Sequence, residues 1–526
     1  MGKEARLLRF DLRLIAALIV YIVLGLLLFG HYRYQINPDG ISYISLARKY
    51  LAGDFGEAVN GYWGPLFAWL LAPFLYFISD GLLAGKALCL FIGAAALVGL
   101  WLLSFRFEMP QAVRTTILFT AVPVVLSFAF ADLTPDILLT AMLLFYFAAI
   151  FSARYGARLS NGAVCGVLGS AAYLSKSFGF PFFIAHFLLM NILHLVRAKT
   201  KESKVGVARN FFAGLIVFCL LSGVWVGLIS YKYGKFTFGT SGRTTYGASI
   251  AGGRFSLGVY WQGFLEPPNA TALSIWEDPS YLESPPRQEP EGGFLKNQLK
   301  VTAGLIGQTA KIFWGFSVLS IVIFVVYVVW WIRKLGKAAL TAIPREVLFP
   351  TLTVTLFAGA YSLIWVQERY LWVLCLLMML MGGYVMDRLF EYQFFTRAKV
   401  VKAVVLFIFF VSFVFGGVRT LRSYAGRGGW VHDLAQILKQ RISPQDRIAS
   451  NTNWAGTLFL SYHLNCRYYG MPKQNTTVAE RKKDLEKYRI NYFFVWGGGP
   501  EDVRWLSGCL EITGGRMPGL RIYALQ

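Results

Sequence analysis

Asp39, Asp132, Asp136, Lys176, Glu368 and Arg369 are the residues of this chain whose types and placement could do chemistry. Each stands at the end of an apolar run, where an ionisable group is expensive and more often functional than incidental. A carboxylate there can accept a proton from an attacking hydroxyl. Lysine and arginine can hold a departing phosphate, Arg as a bidentate fork and Lys as a point charge. Each residue also has a plain structural reading. Asp39, in Asn37-Pro38-Asp39-Gly40, fits a turn and caps the helix that follows. Asp132 and Asp136 flank Thr134-Pro135, and the helix dipole favours an acid in a first turn. Lys176 can snorkel to a headgroup, and Glu368 with Arg369 can anchor a helix at the interface. The joint pattern, two or three acids with Lys and Arg at one membrane face, weighs more than any member. Arg243, in the mobile-looking segment GTSGRTTYG, is a further candidate contact to phosphate or acceptor.

Membrane helices must position these groups. Of 526 residues, 56% are hydrophobic, 16% aromatic and only 15% charged, and the mean hydropathy is +0.52. Soluble domains carry about 25% charged residues, so a water-soluble fold is excluded for most of the chain. The net charge of +23, from 51 Lys and Arg against 28 Asp and Glu, would suggest nucleic acid in a soluble protein. In a membrane protein basic loops fix orientation instead, so no nucleic-acid partner is expected. Runs near the roughly 20 apolar residues a bilayer core requires lie at 14–30, 84–105, 113–131, 135–152, 211–231, 303–332, 347–366, 370–386 and 403–417. The stretch 160–196 crosses twice, interrupted at Ser175-Lys176-Ser177. The stretch 63–79 lies in the interface, broken by Pro65 and Pro73. With these choices every basic cluster, from Arg13 through the run 197–209 to Arg388 and Lys402, falls on the cytoplasmic side, and the six ionisable residues above fall on the other.

The sequence therefore predicts an all-α polytopic membrane bundle of about eleven transmembrane helices over residues 1–418, with a cytoplasmic N-terminus. Large outside loops span 31–83 and 232–302. A small extracytoplasmic α/β domain follows at 419–526, where strand-length runs (DRIASN, CRYYG, NYFFVWG, LRIYAL) alternate with a helical pattern at 478–490. The histidines show no i, i+4 pair and the six cysteines no CxxC, so no metal site is expected. Cys466 and Cys509 could pair if that domain faces an oxidising compartment. Gly497-Gly498-Gly499-Pro500 reads as a turn.

Several motifs resemble the GT-C glycosyltransferases. They are Asp39-Gly-Ile-Ser-Tyr43 running into Leu46-Ala47 and Gly53-Asp54, and Gly64-Pro65-Leu66 opening the interfacial helix. Asp136-Ile-Leu-Leu139 opens a crossing, Lys176 precedes Gly179, and Glu368-Arg369-Tyr370 opens another crossing. Within that superfamily the chain looks most like the branch of protein O-mannosyltransferases and lipid A aminoarabinose transferases, over its whole length. The resemblance implies a polyprenyl-phosphate sugar donor and inverting transfer to an acceptor outside the cytoplasm, at the plasma (inner) membrane. It implies Asp39 as the first-loop catalytic acid and Asp136 or Asp132 as the second. Lys176 and Arg369 would bind donor phosphate, with Glu368 beside them. Two departures speak against protein mannosylation itself and against a metal-bound pair of acids. Gly40 stands where protein mannosyltransferases have a second acid, and Glu368-Arg369-Tyr370 continues as Leu-Trp-Val without the proline often found there. Divalent-metal dependence, the sugar, the prenol and the acceptor, whether lipid, glycan or protein, stay open. The rival reading is a transporter or flippase of a lipid-linked or anionic substrate, which expects internal repeats and helices broken near the bilayer midplane. Neither is visible in the sequence.

Overall fold

In a bilayer no water can satisfy exposed backbone groups, so apolar runs of this length fold as helices. The computed structural model describes residues 11–250, 262–282, 293–335, 341, 343–391, 399–497, 504–515, 517 and 519–525. Lys3, Arg6, Arg9, Lys337, Arg397, the middle of the Pro-rich stretch in the second outside loop and Gly498-Gly499-Pro500 lie outside the described residues.

Asp11 opens α1 (Leu12–Phe29) by accepting from the Arg13 N–H. Helix α2 (Pro38–Ala52) ends at Gly53, whose φ of 78° lets its N–H reach the carbonyls of Lys49 and Tyr50. A single turn, α3 (Phe55–Ala58), precedes α4 (Pro65–Phe77). At 13 residues α4 is about 20 Å long, too short to cross the core. The expected breaks at its prolines do not occur. Pro65 occupies the first turn, where a missing N–H costs nothing, and Pro73 is accommodated inside the helix. The bundle continues with α5 (Gly81–Ser104), α6 (Gln111–Ala131), α7 (Asp136–Ile150), α8 (Leu159–Ser175), α9 (Gly179–Arg197) and α10 (Lys201–Lys232). The interruption at 176–178 falls where the sequence puts it. Helices α8 and α10 pack through glycines: a Cβ on Gly162 would lie 2.2 Å from the Asn210 carbonyl oxygen, and one on Gly166 2.3 Å from that of Gly214.

Beyond α11 (Ser241–Ile250), the run 303–332 is not one straight crossing. It forms α12 (Phe294–Phe316) and α13 (Val318–Leu335), bent by 118°. Ser317 makes the elbow: its N–H closes α12 on Phe313, and its hydroxyl accepts from the Leu319 N–H to start α13. A single serine in an apolar run carries no hydropathy signal, which is why the break escapes a sequence reading. Then come α14 (Arg345–Ser362), α15 (Trp372–Phe390) and α16 (Lys399–Tyr424). Among the described residues seven helices are long and apolar enough to cross a membrane, or eight if the bent pair is one span. The protein is an integral membrane protein, and the count of eleven is not reached by length and apolarity alone.

The C-terminal part comprises α17 (Gly429–Leu438), β1 (Arg447–Ser450), α18 (Trp454–Leu464), β2 (Arg467–Tyr468), α19 (Val478–Lys487), β3 (Tyr492–Trp496), β4 (Leu510–Glu511) and β5 (Leu520–Ala524). The sheet order is β2-β1-β3-β5-β4. Strand β1 runs parallel to β2 and β3, with α18 and α19 as crossovers, and β5 pairs antiparallel with β3 and β4. Cys466 precedes one edge strand and Cys509 the other, so four inter-strand spacings, about 19 Å, separate them. No disulfide spans that distance, and both thiols are free. The stretch 262–282 joins the β2 edge, where Ser274 bridges Tyr468.

Candidate active site

The start of α2 is tied to the turn between α6 and α7. Asn37 occupies the capping position, yet its side-chain oxygen accepts from the Leu133 N–H at 3.0 Å rather than from its own helix. Asp39, the second helical residue, does no capping either, contrary to the turn reading of the sequence. Its carboxylate accepts from Arg369 Nη2 at 2.7 Å and from the Trp276 indole N–H at 3.3 Å. Arg369 Nε donates to Gln367 at 3.0 Å and stands 3.6 Å from Asp136 Oδ2. The other Asp136 oxygen accepts from Lys176 Nζ at 2.6 Å. The result is a row of alternating charge, Asp39, Arg369, Asp136, Lys176, assembled from four distant parts of the chain. Asp136 is buried at 2% side-chain exposure, whereas Asp39, Arg369 and Lys176 keep 15%, 17% and 21%. A carboxylate buried so fully is tolerated because two cations flank it.

Lys176 sits in the gap between α8 and α9. Gly64, just ahead of α4, makes that geometry attainable: a Cβ there would lie 2.4 Å from the Ser175 carbonyl oxygen. Any other residue would push the interfacial helix off the lysine turn. The ammonium lies 3.3 Å over the Tyr370 ring, a cation–π contact. Burial pulls its pKa down to about 8 against the opposing attraction of Asp136.

Two cavities meet at this row. The larger, about 500 Å³, is walled by Asp39, Asp136, Lys176 and Arg369 together with aromatic rings including Tyr43, Trp63, Tyr361 and Tyr370. Arg243 borders it as well, from within α11 rather than from the mobile loop expected. The smaller, about 300 Å³, is lined by Asn37, Asp132, Glu368 and Tyr424, again with Asp39 and Arg369. The sequence candidates thus divide. Asp132 and Glu368 face the polar chamber, Asp136, Lys176 and Arg243 face the aromatic one, and the Asp39–Arg369 pair borders both. Burial raises the pKa of the Asp132 carboxyl.

Trp276 is the candidate residue that sequence reasoning missed. It lies 237 positions from Asp39, between α11 and α12, and an aromatic in a loop carries no distinguishing signal. Its carbonyl accepts from Ser42 Oγ at 2.9 Å and from the Trp63 indole at 3.2 Å. The next residue, Glu277, forms an ion pair with Lys49 of α2, both side chains 4% exposed, and its carbonyl accepts from Asn60 at 2.7 Å. The loop is clamped onto α2 so that the indole meets the carboxylate. A hydrogen bond to a charged group contributes about 1.5–3 kcal/mol. Trp276→Phe, which keeps the packing and removes this bond, is therefore expected to lower stability by no more than about 1.5–3 kcal/mol, read as a lowered Tm of the purified protein.

No family model matches the sequence, and no curated protein does. The structure, by contrast, is similar to that of ArnT from Cupriavidus metallidurans bound to undecaprenyl phosphate. At 13% identity the similarity covers 96% of this chain and 97% of that one, with a TM-score of 0.56. The chain shares the fold of ArnT. The Archaeoglobus fulgidus oligosaccharyltransferase in its apo form agrees at 12% identity, 92% of this chain, 69% of that one and a TM-score of 0.56. The archaeal AglB in complex with an inhibitory peptide and a dolichol-phosphate gives 11% identity and a TM-score of 0.53 over the same shares. In this fold the charged row lies where helix ends from distant parts of the chain converge.

Proposed function

We propose that the protein is an inverting glycosyltransferase that moves a sugar from a polyprenyl-phosphate donor to an acceptor at the extracytoplasmic face of the plasma membrane. The observation that carries this reading is the row Asp39, Arg369, Asp136, Lys176 standing between an aromatic cavity and a polar one. Residues 1–418 form the catalytic domain in this reading, and 419–526 help to position the acceptor. The donor occupies the aromatic cavity, its phosphate on Lys176 and Arg369 with Arg243 close by. ArnT bound to undecaprenyl phosphate and AglB with a dolichol-phosphate lend support to a carrier of that class.

The acceptor hydroxyl enters from the polar chamber, beside Asp132 and Glu368. Asp39 takes its proton as the oxygen attacks the anomeric carbon. The bond from that carbon to the phosphate oxygen breaks on the opposite face, its electron pair leaving with the phosphate onto Lys176 and Arg369. Attack opposite the leaving group inverts the anomeric centre. Asp136, buried between two cations, is unsuited to be the base and instead orients them. Without donor, Arg369 is engaged by Asp39 at 2.7 Å. An arriving phosphate competes for the guanidinium and releases the carboxylate for its task.

The test supplies purified protein with a panel of radiolabelled undecaprenyl-phosphate sugars and envelope extract. Label appearing in a product, with free undecaprenyl phosphate released in equal amount, supports transfer. Intact lipid crossing a liposome bilayer with no covalent product refutes it. Because the Lys176 pKa is lowered to about 8, its charge is present below that pH and lost above it. The donor KM is therefore expected to be flat through neutral pH and to rise as pH passes 8, as read from initial rates between pH 6.5 and 9.5.

A further inference from the structure

A separate basin of about 460 Å³ lies where the C-terminal domain meets the beginning of the membrane part. Gly428, with φ 84°, lets the start of α17 press on the chain ahead of α2, since a Cβ there would lie 1.9 Å from the Tyr34 carbonyl oxygen. Tyr34 then stacks on His432 of α17, ring centroids 4.1 Å apart. From α18, Tyr462 and His463 complete an aromatic wall, and the Arg48 guanidinium stands 6.0 Å over the Tyr462 ring. Lys439 follows α17 at the rim. Arg48 and Lys439 are both exposed, and the acid among the lining residues, Asp80, has an oxygen engaged by the Leu82 and Leu83 N–H groups at the start of α5. Two cations against one carboxylate leave the lining with a net positive charge. His463 Nε2 is buried with no hydrogen-bond partner. Burial, with His432 nearby, pulls that imidazole down to about 4, leaving it neutral at pH 7 and able to bond a hydroxyl.

We propose that this basin binds an anionic saccharide unit of the acceptor, a sugar bearing phosphate or carboxylate. Two cations hold the acid group, tyrosine rings cover the apolar face of the sugar, and the unpartnered imidazole takes a hydroxyl. Its place relative to the candidate active site fits. Arg48 lies nine positions beyond Asp39 on α2, about 13 Å along one rigid helix. Tyr34 in the basin and Asn37 in the polar chamber are three residues apart. Nine positions are two and a half turns, so Arg48 and Asp39 stand on opposite faces of α2, and an acceptor anchored in the basin reaches the polar chamber by way of the Tyr34–Asn37 segment. The acceptor role rests on the transfer reading given above, while the binding of an anionic sugar does not.

Titration calorimetry on the full-length protein in detergent, with glucose 1-phosphate, glucuronate, glucose and inorganic phosphate, tests binding. The anionic sugars are expected to bind at least tenfold tighter than glucose and than phosphate. The double variant R48Q/K439Q, altered at exposed positions, is expected to lose at least tenfold in that affinity with an unchanged Tm. Equal binding of glucose, or an unaltered affinity in the variant, overturns the site. Phosphate binding as tightly as glucose 1-phosphate overturns the saccharide assignment. In transfer assays the variant is expected to raise the acceptor KM at least tenfold while the donor KM stays put. An unmoved acceptor KM overturns the acceptor role. Absence of any transfer by the parent protein would sink the transfer reading and leave the calorimetric result standing by itself.

Discussion

Asp39→Asn is expected to reduce transfer by about 10² to 10⁴, the range that general-base assistance supplies. The substitution keeps the shape of the side chain and an acceptor oxygen for the Trp276 indole, so the position still packs as before. What it removes is the ability to take a proton and the charge that holds Arg369. The two effects separate in the kinetics. Turnover collapses, whereas the donor KM holds or falls, because the guanidinium no longer has to leave a carboxylate before it meets phosphate. Radiolabelled lipid-linked sugar, purified membranes and a thermal melt of the same preparation give rate, affinity and folding together. A normal rate with an intact melt would end the assignment of Asp39 as base.

Arg369→Ala should be damaging in a different way. Arg369 bridges Asp39 and Asp136 and borders both cavities. Removing a donor that stabilises departing charge costs about 10² to 10³ in turnover, and here the donor KM should rise as well. The variant also strips one cation from the buried Asp136, and breaking a buried pair costs about 3–5 kcal/mol of stability. Arg369→Lys discriminates between the two losses. It returns a charge and should recover most of the Tm. A point charge cannot reproduce a fork directed at two carboxylates, so only part of the rate should return. Full activity in the alanine variant would remove Arg369 from the reaction.

The residues of the charged row were legible because charge at the end of an apolar run is costly, and Asp39, Asp136, Lys176 and Arg369 have few other reasons to be there. Their division between two cavities was not legible. Nothing in the spacing of Asp132 and Asp136, four positions apart, says that one faces the polar chamber and the other the aromatic one. Trp276 escaped because an aromatic in a loop carries no such cost, and its meeting with Asp39 depends on the Lys49–Glu277 clamp, a pairing across 228 positions. The helices themselves followed from hydropathy, and the errors fell where one polar or cyclic residue decides a local angle. Ser317 bends a run that reads as continuous, Pro65 opens a helix it was expected to break, and Arg243 sits on a helical turn inside a segment that reads as loop.

The placement of Cys466 and Cys509 at opposite edges of the sheet has a practical outcome. Folding of the C-terminal domain needs no oxidation, so its thiols say nothing by their redox state about which compartment surrounds it. Cys509 is partly accessible, whereas Cys466 is buried. A membrane-impermeant maleimide applied to intact cells can reach Cys509 only from the compartment that holds the sheet, so a Cys219→Ser protein, rid of the exposed thiol on α10, carries its own reporter of orientation.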